Sequence, residues 1–263
     1  MIEFNEIDDF SREISKNAGK ILLSGFRSVS TTISYKSRTN LLTNIDKESE
    51  EYLYKSIKKK FPDHSIIAEE GSRSNKDGDY IWYVDPLDAT NNFAHGIPFF
   101  CISIGIFSKK AHRVVVGTVY DPYHNETFSA IKGKGAFLNL KKIQVSESDD
   151  IGISIIATGF PYTKEDPNAN NLKDFNLFLP KVQGVRRMGS AALDLSYVSC
   201  GRIDGYWEPG LSPWDMAAGS LIVEEAGGRV STYNGQPFDP EYPEIIASNG
   251  NIHKTMIEIL NRK

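Results

Sequence analysis

The sequence lacks several features that mark particular classes of protein. Its 263 residues include only two cysteines, Cys101 and Cys200, which are too few for a disulfide framework. We interpret both as small buried apolar residues of a protein from a reducing compartment. Basic residues number 30 against 34 acidic ones, so the chain has no cationic surplus of the kind that binds extended nucleic acid.

The sequence also lacks a long uninterrupted apolar run. Its longest stretch without a formal charge, residues 89–108, contains polar residues, a glycine and a proline that would be costly in a bilayer. We interpret it as a loop that leads into a buried strand. The first ten residues, MIEFNEIDDF, are acidic where a secretory signal begins with positive charge. We therefore expect a cytoplasmic protein without a membrane-spanning segment.

Several common catalytic signatures are absent as well. The five histidines show no metal-ligand spacing, and the sequence has neither a Ser-His-Asp order nor a phosphate-binding P-loop. The composition, 40% hydrophobic and 24% charged, is typical of a globular protein of enzyme size. The remaining candidates for chemistry are carboxylates.

Apolar spacing predicts two helices in the first sixty residues. Apolar side chains recur at intervals of three to five over residues 6–26, which predicts a surface helix with Asn5 as its N-cap. A second helix is predicted over residues 44–60, with Pro62 stopping it.

The pattern changes after the second helix. Residues 65–145 contain short β-branched and aromatic runs, which predict a largely antiparallel sheet. A segment rich in Ser, Glu and Asp at 146–152 precedes alternating strand and helix patterns, which end with a helix from Ile252. We therefore predict an α/β (α+β) fold with two subdomains, residues 1–147 and residues 148–263.

The most informative segment is IWYVDPLDAT, residues 81–90. An apolar strand is predicted to end there in a sharp turn at Pro86, so that Asp85 and Asp88 can converge on one point. Two carboxylates that close repel each other, and both stay ionised only when a cation or a shared proton compensates them. A divalent ion with oxygen ligands is the natural partner.

Other carboxylates also stand at the ends of predicted elements. Glu69 and Glu70 follow an apolar strand, and Asp215 opens a helix that begins PWDM. Each aspartate alone has a structural explanation, Asp85 as a turn former and Asp215 as a first-turn residue favoured by the helix dipole. Together the three carboxylate sources favour a metal centre. The two-residue spacing within DPLDAT excludes an Asp-x-Asp aspartyl-phosphate mechanism.

Three motifs in order give the sequence a family resemblance. They are IIAEEG, DPLDATNNF, and PWDMAAG followed by EAGG, with LLTNIDKESE, KGKGAF and GSAALDLSYVSCGRIDGYWE in matching order around them. The chain resembles the inositol monophosphatase family of metal-dependent, lithium-sensitive phosphatases over nearly its whole length. The resemblance implies a layered α/β/α/β/α sandwich, as in inositol monophosphatase and fructose-1,6-bisphosphatase, together with a Mg²⁺ cofactor and a homodimer.

The resemblance also implies roles for individual residues. Two Mg²⁺ ions, and a third, weaker one, would be held by Glu69, Asp85, the main-chain carbonyl of Leu87, Asp88 and Asp215. Thr90 and Asp46 would orient and deprotonate the attacking water. Asp46 has a structural alternative as an early-helix residue favoured by the dipole. Glu70 would support the site, and Lys36 would approach it on a mobile loop, with a solvated lysine as the alternative.

The same resemblance assigns the substrate to a larger set of residues. The phosphate and its polyol would contact Leu87, Asp88, Ala89, Thr90, Gly189, Ser190, Ala191, Glu208 and Asp215. Glu208 would accept hydrogen bonds from the substrate hydroxyls. Arg186 and Arg187 could reach a second phosphate, although paired arginines are also common as surface ion-pair residues.

Ala89 departs from the family pattern, which usually has glycine there. If this position needed a positive φ, alanine would cost about 1 kcal/mol. We expect instead an ordinary helix N-terminus, where the methyl group is harmless and the amides of Ala89 and Thr90 face the phosphate.

These observations predict a Mg²⁺-dependent phosphomonoesterase that hydrolyses a small polyol phosphate, with inositol 1-phosphate as the first choice. The enzymatic alternatives are fructose-1,6-bisphosphatase and 3′-phosphoadenosine 5′-phosphate or NADP phosphatase. An alternative of another class is a regulatory protein that keeps the fold and binds RNA or a polymerase. Loss of a metal carboxylate would favour that alternative, and all of them are present.

Overall fold

A computed structural model describes residues 4–35, 37, 41–162 and 170–261. Lys36, a predicted site residue, lies outside the described residues. The helices in these ranges are α1 Phe4–Gly25, α2 Asn44–Lys60, α3 Thr90–Ala94, α4 Leu172–Phe178, α5 Ala191–Ser199, α6 Pro213–Glu225 and α7 His253–Leu260. The strands are β1 Ile33–Tyr35, β2 Leu41–Thr43, β3 Ser65–Ala68, β4 Arg73–Ser74, β5 Tyr80–Asp88, β6 Cys101–Ser108, β7 Arg113–Asp121, β8 Glu126–Ile131, β9 Gly135–Leu138, β10 Lys141–Ile143, β11 Ile155–Thr158, β12 Gly184–Arg186, β13 Gly205–Pro209, β14 Arg229–Ser231 and β15 Glu244–Ser248.

The first β layer is an eight-stranded sheet in the order β10-β9-β8-β7-β6-β5-β3-β4. Its neighbouring strands are antiparallel except for β3 and β5, which run parallel. The largely antiparallel sheet predicted for residues 65–145 is therefore confirmed. Strands β1 and β2 pair antiparallel ahead of α2.

Helices α1 and α2 cover one face of this sheet. Ile14 of α1 and Leu53 of α2 belong to the same buried cluster as Trp82 and Ile104 of the central strands. The predicted N-cap of α1 is wrong, because the helix already includes Phe4 and so Asn5 lies inside it. Phe4 packs edge-on against Tyr80, with ring centroids 6.2 Å apart, and this contact anchors the first turn to the sheet.

The second β layer is a five-stranded sheet in the order β12-β11-β13-β15-β14. Strand β11 runs parallel to both β12 and β13, while β15 pairs antiparallel with β13 and β14. Helices α4 and α7 cover its outer face, where Phe178 and Met256 pack in one cluster with Trp207 and Ile246. This half of the chain has the α/β alternation that the sequence predicts.

Helices α5 and α6 form the layer between the two sheets. In α6, Ala217 and Leu221 belong to a cluster with Tyr83 of the large sheet, whereas Met216 packs in another with Tyr206 of the small sheet. A helix buried on both sides is apolar all round, as the sequence of α6 is. The layers therefore follow the order α/β/α/β/α, which confirms the predicted fold.

Helix α6 packs closely against the large sheet at two glycines. A Cβ added to Gly105 of β6 would lie 2.6 Å from the Cβ of Ala217, and one added to Gly117 of β7 would lie 2.7 Å from the Ala218 carbonyl oxygen. Two glycines on adjacent strands thus allow the helix to approach the sheet closely. This contact fixes the start of α6, which carries Asp215.

The central helices contact both sheets, so the two halves of the chain share one core layer. The division into subdomains at residues 147 and 148 stays a prediction. Cys101 is buried and Cys200 is half-buried, and neither forms a disulfide. Among the described residues, no helix is both long and apolar enough to span a membrane.

Candidate active site

A cavity of about 300 Å³ lies where the end of β5 meets the ends of β11 and β13 and the start of α6. Most of the residues predicted for the site line it: Glu69, Asp85, Leu87, Asp88, Ala89, Thr90, Gly189, Ala191, Glu208 and Asp215. Ser190 is buried directly behind this lining. The structure therefore brings predicted residues from five separate segments of the chain to one place.

An irregularity in β5 places Asp85 and Asp88 on the same side of the sheet. The sequence predicts that the strand ends in a turn at Pro86, but strand β5 continues through Asp88. Asp85 pairs with Ser103 and Asp88 pairs with Cys101, so three steps on β5 match two steps on β6. Residues three apart on a regular strand face opposite sides, and the extra residue of this bulge brings the two carboxylates together.

Hydrogen bonds hold each of the three aspartates in place. Asp85 Oδ1 accepts from the Leu87 amide at 3.0 Å. Asp88 Oδ2 accepts from Ser190 Oγ at 2.6 Å and from the Ala192 amide at 2.9 Å. Asp215 accepts from the Ser212 amide at 2.7 Å, as part of the capping box that begins α6. One oxygen of each carboxylate is thus fixed by the protein.

Burial and mutual repulsion raise the pKa values of these aspartates. Burial is the largest cause for Asp85, followed by the charge of Glu69. Burial also dominates for Asp215, followed by the charge of Asp88, while the pKa of Asp88 is raised by burial against its hydrogen bonds. Buried carboxylates that oppose one another's ionisation need a compensating charge, and a divalent cation supplies one.

The oxygen atoms at the cavity are of the kind that binds a divalent cation, although those of the described residues do not surround one point. The residues that line the cavity include several carboxylates and Leu87, and Mg²⁺ and Ca²⁺ bind oxygen donors. Among the described residues, no three His, Cys, Asp or Glu side chains are gathered as a ready metal-binding group. The argument for a metal therefore rests on donor chemistry and buried charge.

Thr90 and Asp46 form a buried pair beside the cavity. Thr90 Oγ1 lies 2.8 Å from Asp46 Oδ1 and 3.1 Å from the Leu87 carbonyl oxygen. Asp46 is also part of a capping box at the start of α2, where its other oxygen accepts from the Thr43 amide at 2.8 Å. The structural role considered for Asp46 is therefore real, and it coexists with the contact to Thr90. Burial raises the pKa of Asp46.

Ala89 has a left-handed backbone, with φ 73° and ψ 48°. The expectation of an ordinary helical conformation at this position is wrong. Ala89 is the single residue between the end of β5 and the start of α3, so the change from extended to helical backbone is made at this residue. A left-handed alanine costs roughly 1–2 kcal/mol, which the surrounding packing has to offset.

Glu208 of β13 is buried in the wall of the cavity. Burial raises its pKa to about 7, while its hydrogen bond from the Tyr206 hydroxyl and the charge of Arg187 oppose the shift. Gly159 leaves space for this carboxylate, because a Cβ there would lie 2.0 Å from Glu208 Oε2. A side chain that titrates near neutral pH in a cavity is a candidate for substrate binding.

The remaining predicted residues divide into two groups. Gly189 has φ +96° and precedes Ser190, the N-cap of α5, so it forms the predicted turn beside the cavity. Arg187 lines the cavity, whereas Arg186 lies outside the lining and donates to the Val185 carbonyl at 3.2 Å. Glu70 is not part of the lining, and its amide is bonded to α2.

Asp194 is a buried acid that the sequence interpretation missed. It lies in α5, and burial followed by the charge of Glu208 raises its pKa. Its Oδ1 is buried with no hydrogen-bond partner among the described residues. An aspartate within the apolar stretch AALDLSY is the signal that could have identified it.

Together the layered fold and its carboxylate-lined cavity are those of a phosphatase class built on the α/β/α/β/α sandwich. The sequence profile of the inositol monophosphatase family matches residues 3–263. The chain therefore belongs to the inositol monophosphatase family.

Relatives in this family carry two kinds of name. An inositol-1-monophosphatase of Synechocystis is 45% identical over 84% of this chain and 77% of its own length. A Nus factor SuhB of Pasteurella multocida is 42% identical over 94% of this chain and 92% of its own length. Membership alone therefore does not determine the substrate.

Solved structures share the fold over almost the whole chain. Inositol monophosphatase from Anabaena superposes with a TM-score of 0.87 at 40% identity, covering 98% of this chain and 96% of its own. An IMPase/NADP phosphatase crystallised with Mg²⁺ and phosphate superposes with a TM-score of 0.85 at 25% identity, covering 98% and 96%.

Proposed function

We propose that the protein is a Mg²⁺-dependent phosphomonoesterase that acts on a small polyol phosphate, with inositol 1-phosphate as the first candidate. The observation that carries the proposal is that the carboxylates Glu69, Asp85, Asp88, Asp215 and Glu208 line one cavity, with the Thr90–Asp46 pair beside it. Its volume of about 300 Å³ is at the small end of ligand pockets, which favours a compact substrate.

The proposed metal site uses residues at the cavity wall. Two to three Mg²⁺ ions would be held by Glu69, Asp85, the Leu87 carbonyl, Asp88 and Asp215. When bound, Mg²⁺ would neutralise charge on the phosphoryl oxygens and lower the pKa of an attacking water.

The chain's own residues would supply the proton transfer and the substrate contacts. The Thr90 hydroxyl can accept a proton from the attacking water while it donates its own to Asp46, which lies 2.8 Å away. The Glu208 carboxylate would accept hydrogen bonds from the substrate hydroxyls, and Gly189, Ser190 and Ala191 would form the turn beside them.

The substrate is tested by phosphate release from a panel of esters at saturating Mg²⁺. We expect the highest kcat/KM with inositol 1-phosphate. The other substrates of the panel are fructose 1,6-bisphosphate, 3′-phosphoadenosine 5′-phosphate and NADP. Preference for one of these would move the proposal to that substrate, and turnover of none of the panel would contradict a phosphomonoesterase.

Two specific observations support second candidates. Arg187 at the cavity wall offers a cation for a second anionic group, as in a bisphosphate. The 42% identity to a Nus factor SuhB supports a regulatory role beside or instead of catalysis. If the folded protein neither hydrolyses the esters of the panel nor binds Mg²⁺, the regulatory role would be favoured. A homodimer, a cytoplasmic location and inhibition by lithium stay predictions.

A further inference from the structure

One face of α2 carries three buried polar residues, Asp46, Ser49 and Glu50. Their spacing of three and four residues places them on the same side of the helix. Asp46 and Ser49 are 0% exposed and Glu50 is 4% exposed, and polar groups are buried this deeply only when they have partners. These three side chains therefore need hydrogen-bond partners in neighbouring segments.

Each side chain contacts a different segment of the candidate site. Asp46 is bonded to Thr90, and Ser49 Oγ donates to the Pro86 carbonyl at 2.9 Å. Glu50 accepts from the Glu70 amide at 2.7 Å through Oε2 and from the Ser72 amide at 2.9 Å through Oε1. One helix face is therefore bonded to the bulge of β5, to the first residue of α3 and to the loop after β3.

The Glu50 contacts bear directly on Glu69. The Glu69 amide is held on its other side by the Val84 carbonyl at 3.1 Å, so the peptide units on both sides of this residue are fixed. Hydrogen bonds from two amides to one ionised carboxylate are stronger than those between neutral groups. Glu50 thereby restricts the loop whose carboxylate is a candidate metal ligand.

We infer that Glu50, assisted by Ser49, is a positioning residue that sets the metal affinity of the site through the Glu69 loop. The inference rests on the proposed function, since it concerns the same Mg²⁺ site. Glu50 is not in the cavity lining, and it acts through the backbone that it binds. Residues that orient metal ligands typically affect metal affinity 10- to 100-fold.

The test compares Glu50→Gln with Glu48→Gln in the full chain. Both substitutions remove one negative charge from α2, but Glu48 is exposed. A glutamine at position 50 has one acceptor oxygen for two amides, and its NH₂ group opposes the other. Mg²⁺ dissociation constants are measured by calorimetry without substrate, together with thermal melting. We expect about tenfold weaker binding for Glu50→Gln and less than a twofold change for Glu48→Gln.

The kinetic signature separates positioning from a general loss of structure. For Glu50→Gln the Mg²⁺ concentration at half-maximal rate should rise about tenfold, while kcat at saturating Mg²⁺ returns to within a few-fold of the parent value. Unchanged Mg²⁺ affinity in a folded Glu50→Gln variant would overturn the inference and leave the proposed function intact. A parent protein that binds no Mg²⁺ would overturn both.

A second variant decides the matter if Glu50→Gln does not fold. Ser49→Ala removes only the hydroxyl that holds the Pro86 carbonyl. We expect a rise of about threefold in the Mg²⁺ dissociation constant, a smaller effect because one neutral hydrogen bond is lost. Parent affinity in Ser49→Ala would count against a role for this helix face in positioning the metal site.

Discussion

Two buried polar clusters of the protein differ in whether hydrogen bonds alone are enough to satisfy them. Behind the small sheet, His253 is fully buried, with Ser231 Oγ 2.8 Å from Nε2 and Ser248 Oγ 2.9 Å from Nδ1. Burial lowers its pKa to about 4, so the ring is neutral at physiological pH. The two serines provide a hydrogen-bond partner for each ring nitrogen. At the cavity, Asp85 and Asp215 have pKa values raised by burial and by neighbouring carboxylates.

The comparison shows how a structural polar cluster differs from a candidate functional one. The histidine cluster is satisfied by hydrogen bonds alone and gains nothing from a further ligand. The carboxylate cluster has hydrogen bonds too, but these leave its mutual repulsion in place. Buried polar residues by themselves are therefore weak evidence for function, and unresolved like charges beside a cavity are stronger evidence.

The largest effect is expected for Asp88→Asn at the cavity. The change removes a proposed metal ligand, so kcat should fall by about 10³-fold, or ~4 kcal/mol of transition-state stabilisation. Folding should survive because one of several repelling charges is lost. Phosphate release and thermal melting measure the two effects, with the exposed Asp9→Asn as control. Activity close to that of the parent would remove Asp88 from the proposed ligands.

A smaller effect is expected for Glu208→Gln. Loss of a charged acceptor for the substrate hydroxyls should raise KM by about tenfold or more, with a lesser change in kcat. Because burial raises the pKa of Glu208 to about 7, the parent carboxylate becomes protonated as the pH falls below that value. KM of the parent should therefore rise below pH 7 and that of the variant should stay flat. A pH dependence retained in Glu208→Gln would assign it to another group.

Protonation of His253 should lower the stability of the protein rather than its activity. Because the folded pKa of His253 is about 4 and its ordinary value is 6.5, its contribution is fully present above pH 6.5. It is lost as the pH falls towards 4, because protonation then favours the unfolded chain, by about 3 kcal/mol. Urea unfolding at several pH values measures this loss. His253→Gln should flatten it, and an unchanged slope in that variant would contradict the assignment.

The smallest effect concerns the strained residue at the cavity. Ala89→Gly should relieve the left-handed strain while adding entropy to the unfolded chain, for a net gain of about 0.5–1 kcal/mol in stability. Denaturant unfolding measures the gain. A loss of stability would show that contacts of the Ala89 methyl group, which is largely buried, outweigh the strain.

Local patterns were sufficient for some parts of the molecule. The 44–60 helix is observed as predicted, because its apolar stripe and its capping residues lie within one stretch of sequence. The carboxylates Glu69, Asp85, Asp88 and Asp215 were identified because they stand at the ends of predicted strands and helices, whereas the other cavity residues were identified through the family resemblance. Ala89 was misjudged because its conformation depends on how the bulged strand β5 meets α3.

Other features depend on contacts that no local pattern encodes. Glu50 reads in sequence as one more charge on a polar helix, and its amide partners lie 20 and 22 positions away. Asp194 does have a local signal in its apolar surroundings, but its proximity to Glu208, which belongs to another element, is not visible in the sequence. Long-range pairing of this kind becomes visible only when the two sheets and the central helices are assembled.

The central claim is that the carboxylate cluster works by holding Mg²⁺. The most direct test is phosphate release from inositol 1-phosphate by the full chain, measured after chelation and again after Mg²⁺ is restored. We expect activity to disappear with the chelator and to return with Mg²⁺, while melting confirms that the chain stays folded. Hydrolysis that continues undiminished in the chelated protein would contradict the account.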